Sequence, residues 1–238
     1  MKLDILAFGA HPDDVELSCS GTLIKHIKQG YSAGIIDLTQ GELGSRGTIE
    51  TRYAEAAEAS KFLGISERVN LKMADGFFEI NQTNKLKIVE QLRRFRPDIV
   101  FCNATSDRHP DHGRGSQLVS EACFLSGLVK IETEFEGVKQ EKWRPKAVYH
   151  YIQDRYIKPD FIVDISEEFA TKMDSVLAYK TQFFDPNNKS ENTPISSPEF
   201  LEYLKGRAAQ FGRTINTRYG EGFNVERTIG VEDVTTLM

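Results

Sequence analysis

Paired cysteines, long apolar runs and a surplus of positive charge are all missing from this sequence of 238 residues. Its three cysteines, at positions 19, 102 and 123, are far apart and form no CxxC pair, so neither a disulfide framework nor a thiolate zinc site is expected. No run reaches the roughly 18 apolar residues of a membrane span, and no signal-peptide cleavage pattern follows the short apolar N-terminus. We therefore expect an unprocessed, soluble protein of a reducing cytoplasm.

The charge pattern argues against nucleic acid as a partner. A net charge of -5 arises from 30 basic and 35 acidic residues that are interspersed along the chain, which leaves no basic face to neutralise a run of phosphates. Nucleic acid is therefore not expected as a partner, whereas a small molecule is. The glycine patterns GxGxxG and GxxxxGKS are also absent after the early apolar runs, which argues against a non-catalytic nucleotide-binding or sugar-binding module.

Apolar runs alternate with segments of helical periodicity, and this alternation predicts the fold. Residues 3–9 form an apolar run typical of a buried strand, and residues 23–31 carry apolar side chains at helical spacing. The same patterns predict strands at 33–38, 69–72 and 98–102 and helices at 50–63, 84–96 and from about 113 onward. Length and ordinary composition predict a single domain over residues 1–238. We expect an α/β, Rossmann-like fold whose mostly parallel sheet is flanked by helices on both faces.

The second half of the chain is less regular. Residues 129–145 are charged and are predicted to be irregular, and residues 185–197 are predicted to be a loop. Strands are predicted at 147–152 and 161–165, although the sequence does not give their order in the sheet. Two helices are predicted to follow, one from about Ser166 and one that Ser197 caps.

Two polar motifs stand directly after predicted strands. Residues 11–14 read His-Pro-Asp-Asp and residues 109–112 read His-Pro-Asp-His, and together they hold three of the five histidines. Ligands of parallel sheets bind outside the carboxyl ends of the strands, so we expect the two motifs to meet there. Each motif alone is also typical of a turn whose aspartate caps a helix, but two such motifs at strand ends favour a metal site.

A catalytic zinc ion takes three nitrogen or oxygen ligands and keeps a position for water. His11 and Asp14 are candidate ligands from the first motif, and either His109 or His112 could complete the set from the second. Asp13 is then the candidate general base for the activated water, and the remaining histidine would act as acid or oxyanion donor. Asp111 is expected to orient that histidine.

Other polar residues give weaker indications. His26 and His150 lie in a predicted helix and strand and are expected not to bind the metal, and Cys19 is expected to be an ordinary buried thiol. Glu42 and Arg52 are, by position alone, as consistent with solvated surface groups as with ligand contacts.

With these motifs the chain resembles the LmbE/PIG-L family of zinc-dependent N-deacetylases that act on GlcNAc-type sugars. The resemblance covers about the first 125 residues and continues in the segments 39–44 and 51–55. An extended first motif and the segments 41–47 and 219–223 are most similar to the bacillithiol-biosynthesis branch, which deacetylates N-acetylglucosaminyl malate. Deacetylation of chitobiose-like or other GlcNAc conjugates is the alternative, and the branch also implies a homo-oligomer.

The resemblance assigns a role to each candidate residue. It implies that His11, Asp14 and His112 bind zinc, that Asp13 is the base, that His109 is the acid or electrostatic stabiliser with help from Asp111, and that Glu42 and Arg52 contact the sugar or its aglycone. Guanidinium groups pair well with carboxylates, so Arg46 and Arg52 would suit malate. Other divalent ions also fit a His, His, Asp set. The chain departs from the family in residues 183–198, which lack the tyrosine that some members place beside the oxyanion.

Overall fold

A central β-sheet organises the chain in this computed structural model, which describes residues 1–187 and 191–237. The strands of these residues are β1 (Ile5–Gly9), β2 (Ala33–Thr39), β3 (Glu67–Met73), β4 (Ile99–Cys102), β5 (Glu134–Phe135), β6 (Val138–Lys139), β7 (Ala147–Tyr151), β8 (Phe161–Asp164) and β9 (Gly220–Val225). Seven of them form one sheet in the order β3-β2-β1-β4-β7-β9-β8, while β5 and β6 form a separate hairpin.

The order of the strands creates a switch point beside β1. This strand pairs in parallel with β2 on one side and with β4 on the other, so the chain winds outward from β1 in both directions. In such sheets the crevice beyond the carboxyl ends of the two diverging strands is where ligands bind. The motif at residues 11–14 follows β1, and the motif at 109–112 follows β4 after a short loop. The fold therefore brings both motifs to one crevice.

Helices cover the sheet, and capping residues define where several of them begin or end. The α-helices of the described residues are α1 (Asp14–Ser18), α2 (Ser20–Lys28), α3 (Ile49–Leu63), α4 (Gln82–Phe95), α5 (Pro110–Ser126), α6 (Phe169–Leu177) and α7 (Pro198–Thr214), and a 3-10 helix spans Val234–Thr236. Ser197 caps α7 by accepting a hydrogen bond from the backbone N–H of Phe200. Gly64 ends α3 with a φ of 71°, a conformation that glycine adopts without a steric penalty.

The alternation of side chains along β1 divides the core between the two faces of the sheet. Leu6 and Phe8 pack in a cluster that contains the apolar residues of α4 and α5. Ile5 and Ala7, which point the other way, pack in a second cluster with residues of α1 and α2. Because neighbouring residues of a strand face opposite sides, an uninterrupted apolar run is what a strand covered on both faces requires.

The predicted α/β fold with a mostly parallel sheet and helices on both faces is confirmed. The helix predicted around residues 23–31 is preceded by a second short helix, α1, and the two are separated at Cys19. The charged segment 129–145, predicted to be irregular, contains the β5–β6 hairpin. The predicted loop 185–197 has no regular element in its described part, and its residues 188–190 lie outside the described residues. No helix of the described chain is both long and apolar enough to cross a membrane.

Strand β9 was not predicted, and its sequence explains why. It runs antiparallel between β7 and β8, yet it contains two glycines, which are unfavourable in strands by themselves. A Cβ atom at Gly220 would lie 2.6 Å from Ile162 Cγ2, and one at Gly222 would lie 3.1 Å from Phe211 Cζ. These glycines are therefore required by close packing against neighbouring side chains, which the local sequence does not reveal.

Candidate active site

The two motifs meet in a pocket of about 220 Å³ beyond the carboxyl ends of β1 and β4. Its wall is completed by the loop after β3 and by one face of α7. The residues predicted from the sequence that line it are His11, Asp13, Asp14, Arg52, His109 and His112. The structure therefore places residues of both motifs around one pocket.

Asp14 is the most firmly held carboxylate of the pocket. Its Oδ2 accepts hydrogen bonds of 3.0 Å from the backbone N–H of His11 and from Asn103 Nδ2, and its Oδ1 accepts one of 2.6 Å from Gln153 Nε2. Oδ1 also lies 3.2 Å from His112 Nε2. Burial alone would raise the pKa of Asp14, but His112 and His11 hold it well below its usual range. The carboxylate of Asp14 is thus ionised and held in one orientation, and its oxygen atoms can bind a cation.

Carboxylates orient both motif histidines that face Asp14. His112 Nδ1 lies 2.6 Å from Asp107 Oδ2, which directs the opposite ring nitrogen towards Asp14. Burial lowers the pKa of His112, but Asp14 and Asp107 outweigh it and raise this pKa to about 9. His11 Nε2 lies 3.0 Å from Asp75 Oδ1, and burial is likewise outweighed so that the pKa of His11 is raised well above 6.5. In metal sites, a histidine that binds the metal through one ring nitrogen often donates a hydrogen bond from the other ring nitrogen to a carboxylate.

The donor set fits a divalent metal ion. One ring nitrogen from each of His11, His109 and His112 lies within 4.8 Å of the others, and the same holds for donor atoms of His11, Asp75 and Asp111. Imidazole nitrogen and carboxylate oxygen are ligands that zinc accepts. The buried carboxylates also favour positive charge at this place, since they raise the pKa values of His11 and His112. The same electrostatics would favour a bound cation.

Asp13 has a strained backbone and a cationic neighbour. Its φ of 124° is rare for any residue with a Cβ atom, and such strain is concentrated at functional sites. Arg52 Nη1 donates to Asp13 Oδ2 at 3.0 Å and to the carbonyl of Pro12 at 2.8 Å. Burial raises the pKa of Asp13 to about 7, although Arg52 acts in the opposite direction. Arg52 therefore contacts the predicted base and also lines the pocket, and the contact with the substrate that the resemblance implied stays a prediction.

His109 lies at the start of α5, and its two ring nitrogens differ. Its Nδ1 accepts a hydrogen bond of 3.3 Å from the backbone N–H of Asp111. In the neutral ring the proton is then on Nε2, which makes this nitrogen a donor. Burial and the two other motif histidines lower the pKa of His109, which favours that neutral form.

The carboxylate of Asp111 has other partners than the His109 ring. It accepts hydrogen bonds from the backbone N–H of Gly76 at 2.8 Å and from Arg114 Nη1 at 2.6 Å, and it lies 3.4 Å from His11 Nε2. The contact by which Asp111 reaches His109 is thus made by its backbone. The side chain instead supports His11 and fixes the loop after β3.

Two residues predicted to contact the substrate lie outside the pocket wall. Glu42 is exposed, and its carboxylate accepts hydrogen bonds from the backbone N–H groups of Gln40 and Asp75, so it orders the loops at the pocket mouth. Arg46 is buried, and its Nε and Nη1 have no hydrogen-bond partner among the described residues. A role of either residue in substrate binding stays a prediction.

Four supporting residues were not predicted from the sequence: Asp75, Asn103, Asp107 and Gln153. Asp75 follows β3, Asn103 and Asp107 follow β4, and Gln153 follows β7. Each comes shortly after the carboxyl end of a parallel strand, which is the signal that identified the two motifs. Gln153 could not be predicted, because the sequence does not show that β7 lies next to β4.

The remaining polar residues lie outside the site. His26 Nδ1 lies 2.8 Å from the carbonyl of Thr22 within α2, and His150 is buried with Nδ1 2.8 Å from Ser116 Oγ. Neither belongs to a group of possible metal ligands among the described residues. Burial raises the pKa of the Cys19 thiol well above its usual value, which disfavours the reactive thiolate form.

Comparisons with known proteins identify the family of the chain. A sequence model of the PIG-L family, described as GlcNAc-PI de-N-acetylase, matches residues 6–123, which include both motifs. The chain is 30% identical over 159 residues to the uncharacterized deacetylase YaiS of Escherichia coli (strain K12), a match that covers 60% of this chain and 85% of YaiS. It is 26% identical over 229 residues to the diacetylchitobiose deacetylase of Thermococcus kodakarensis, covering 92% of this chain and 81% of that enzyme.

A solved structure shares both the fold and the sequence pattern. The conserved protein TT1542 from Thermus thermophilus superposes with a TM-score of 0.85 at 36% identity, over 97% of this chain and 98% of that chain. The likeness therefore extends well beyond the segment that contains the two motifs.

Proposed function

The chain belongs to the PIG-L family of amide-hydrolysing deacetylases, and from this premise we propose that it removes the N-acetyl group from a GlcNAc conjugate with the help of a bound zinc ion. The observation that carries the proposal is that His11, Asp14 and His112 line one pocket together with Asp13, whose backbone is strained. The reaction adds water to the acetamide, and its products are acetate and a free amine.

His11, Asp14 and His112 are the residues proposed to hold the metal. Such an ion, when bound, polarises the acetamide carbonyl and lowers the pKa of its bound water to about 7. Hydrogen bonds from Asn103 and Gln153 leave the carboxylate of Asp14 little freedom to turn away. Asp107 and Asp75 fix the imidazoles of His112 and His11 in the same way.

Asp13 is proposed to accept the proton of the attacking water. Its carboxylate lines the pocket, and Arg52 holds Oδ2 in place from one side. A base that already points into the site needs no rearrangement before it accepts the proton. The proton can then pass to the amide nitrogen, which must be protonated before it leaves as an amine.

His109 is proposed to stabilise the oxygen that becomes negative when water adds to the acetamide. Because Nδ1 accepts from the backbone of Asp111, Nε2 of the neutral ring is available to donate a hydrogen bond. A donor fixed before the reaction stabilises developing charge without the cost of reorganising solvent.

The finer proposal for the substrate is N-acetylglucosaminyl malate. It is supported by the arginines of the pocket wall, Arg52, Arg108 and Arg207, because guanidinium groups pair well with carboxylates, although Arg52 and Arg108 already contact Asp13 and Asp154. A chitobiose-like substrate is the second candidate, favoured by the match to a diacetylchitobiose deacetylase over 92% of this chain.

Acetate release and metal content test the function together. We expect the zinc-loaded protein to release acetate from N-acetylglucosaminyl malate and Asp13→Ala to retain about one zinc ion per chain while losing at least about 100-fold in kcat. His112→Ala is expected to lose both the metal and the activity. If Asp13→Ala keeps its turnover, Asp13 is not the base, and absence of acetate release from every GlcNAc conjugate would reject the function.

A further inference from the structure

Arg207 lies on the face of α7 that closes the pocket. Phe200, Leu204 and Arg207 follow one another at helical spacings of four and three residues, and all three line the pocket. Phe200 and Leu204 present an apolar surface, and the guanidinium of Arg207 lies at one end of it. No sequence motif drew attention to this arginine.

The three arginines of the pocket wall differ in their partners. Arg52 donates to Asp13 Oδ2 at 3.0 Å, and Arg108 Nε donates to Asp154 Oδ2 at 2.7 Å. Arg207 Nη2 donates to the carbonyl of Leu17 at 3.2 Å, and no ion pair joins Arg207 to a carboxylate of the described residues. Its guanidinium also lies 5.5 Å from the centre of the Tyr203 ring. Within the described chain, Arg207 is therefore the guanidinium of this wall that makes no direct ion pair, although the carboxylates of Asp154 and Asp107 act on its charge at longer range.

The charge of Arg207 is only partly compensated in the free protein. Burial lowers the pKa of Arg207 from its ordinary value, although Tyr203 and the carboxylates of Asp154 and Asp107 act in the opposite direction. An arginine nevertheless stays protonated in proteins, so the unfavourable charge persists. An anion placed against it would supply the missing charge and accept the planar group's N–H donors.

We propose that Arg207 is a specificity-determining residue that binds an anionic group, a carboxylate or a phosphate, on the aglycone of the substrate. This inference rests on the proposed function, because the acetamide must reach Asp13 and the motif histidines. The remainder of the substrate then extends along Phe200 and Leu204 towards the guanidinium. The apolar wall would contact the carbon skeleton, and Arg207 would contact its charge.

The test compares substrates that differ in charge. Wild type, Arg207→Met, Arg207→Lys and Arg213→Met are loaded with zinc, and acetate release is measured from N-acetylglucosaminyl malate, GlcNAc 1-phosphate and the neutral methyl glycoside of GlcNAc. Methionine keeps much of the apolar stem, and lysine keeps the charge. Arg213 is the matched control, since it is an exposed arginine on the same helix.

We expect Arg207→Met to lower kcat/KM about 10- to 100-fold for the anionic substrate through a higher KM, and to change it less than about twofold for the neutral glycoside. Arg207→Lys should retain an intermediate activity, and Arg213→Met should match wild type on every substrate. A larger loss with malate identifies a carboxylate, and a larger loss with the phosphate identifies a phosphate. Equal losses on charged and neutral substrates, or no loss on any, would overturn the inference.

A binding measurement separates this inference from the proposed function. Glucosaminyl malate, glucosamine 1-phosphate and methyl glucosaminide are titrated calorimetrically into wild type and Arg207→Met. If wild type releases no acetate from any conjugate, the function fails, yet tighter binding of a charged compound that depends on Arg207 would still support the anion site. Binding that is independent of Arg207 would reject the site even if deacetylation is observed. Melting temperatures of the variants check that loss of the Leu17 contact has not unfolded the protein.

Discussion

Asp13 and Asp14 are adjacent residues of the same type, and the structure gives them opposite electrostatic surroundings. Burial raises the pKa of Asp13 to about 7, while His112 and His11 outweigh burial and hold the pKa of Asp14 well below its usual range. Asp14 also receives three hydrogen bonds from fixed donors. Neighbouring carboxylates with such different surroundings are typical of sites where one group binds and the other exchanges a proton.

Arg52 provides the sharpest test at the scale of a single residue. Its guanidinium is bonded to Asp13 and to the carbonyl of Pro12, so its first effect should be on the orientation of the base. We expect Arg52→Met to lower kcat roughly 10- to 100-fold with little change in KM, because a misoriented base slows the reaction without weakening binding. Steady-state kinetics with N-acetylglucosaminyl malate measures both constants.

Arg52→Lys and the melting temperature serve as controls for this variant. Lysine keeps the charge but loses the planar group that reaches both oxygen atoms, so partial recovery of kcat is expected. A higher KM at unchanged kcat would instead show that Arg52 contacts the aglycone, as the sequence resemblance implied.

Hydrogen bonds between Asp4 and Ser32 link the segments that precede β1 and β2. At the ends of these strands remote from the site, Asp4 Oδ2 accepts hydrogen bonds from Ser32 N at 2.8 Å and Ser32 Oγ at 2.7 Å. These bonds lower the pKa of Asp4 below 3.8. A carboxyl group whose pKa is lower in the folded state stabilises the fold above its unfolded pKa and loses that contribution as the pH falls through the folded value.

We therefore expect Asp4→Asn to lower the free energy of unfolding by about 1 kcal/mol at pH 7 and by progressively less below pH 3.8. Urea unfolding at a series of pH values measures the difference from wild type. Asp174→Asn, at an exposed position of α6, is the control and should show little change at any pH. A difference that stays constant down to the acid limit would contradict the role of the charge.

Elements were predictable where their determinants are local. The apolar run of β1, the cap at Ser197 and the stop at Gly64 are readable within a few residues, and the structure contains all three features. The order of the last three strands of the sheet was not predictable, because it depends on pairing between segments such as β7 and β9 that are about 70 residues apart. The two histidine motifs could be predicted because their determinants are local. Gln153 could not be predicted, because its position in the site depends on the pairing of distant strands.

At the scale of the whole molecule, the pocket joins segments that are distant in the sequence. Its wall extends from His11, next to the first strand, to Arg207 on the last helix. The proposed ligands His11, Asp14 and His112 belong to two connections that diverge from the switch point. An ion bound between them would join these connections only in the folded state, so metal binding should stabilise the entire fold.

We expect zinc at about 1,000 times its dissociation constant to add about 4 kcal/mol to the free energy of unfolding, since the unfolded chain lacks the assembled site. For a chain of this size that corresponds to a rise in melting temperature of roughly 8 to 16 °C, measurable by calorimetry of metal-free and zinc-loaded protein. His112→Asn should abolish most of the rise, because it removes a proposed ligand. His26→Gln, which changes a histidine of α2 outside the pocket, should preserve it. A rise of equal size in His112→Asn would place the stabilising metal at another site.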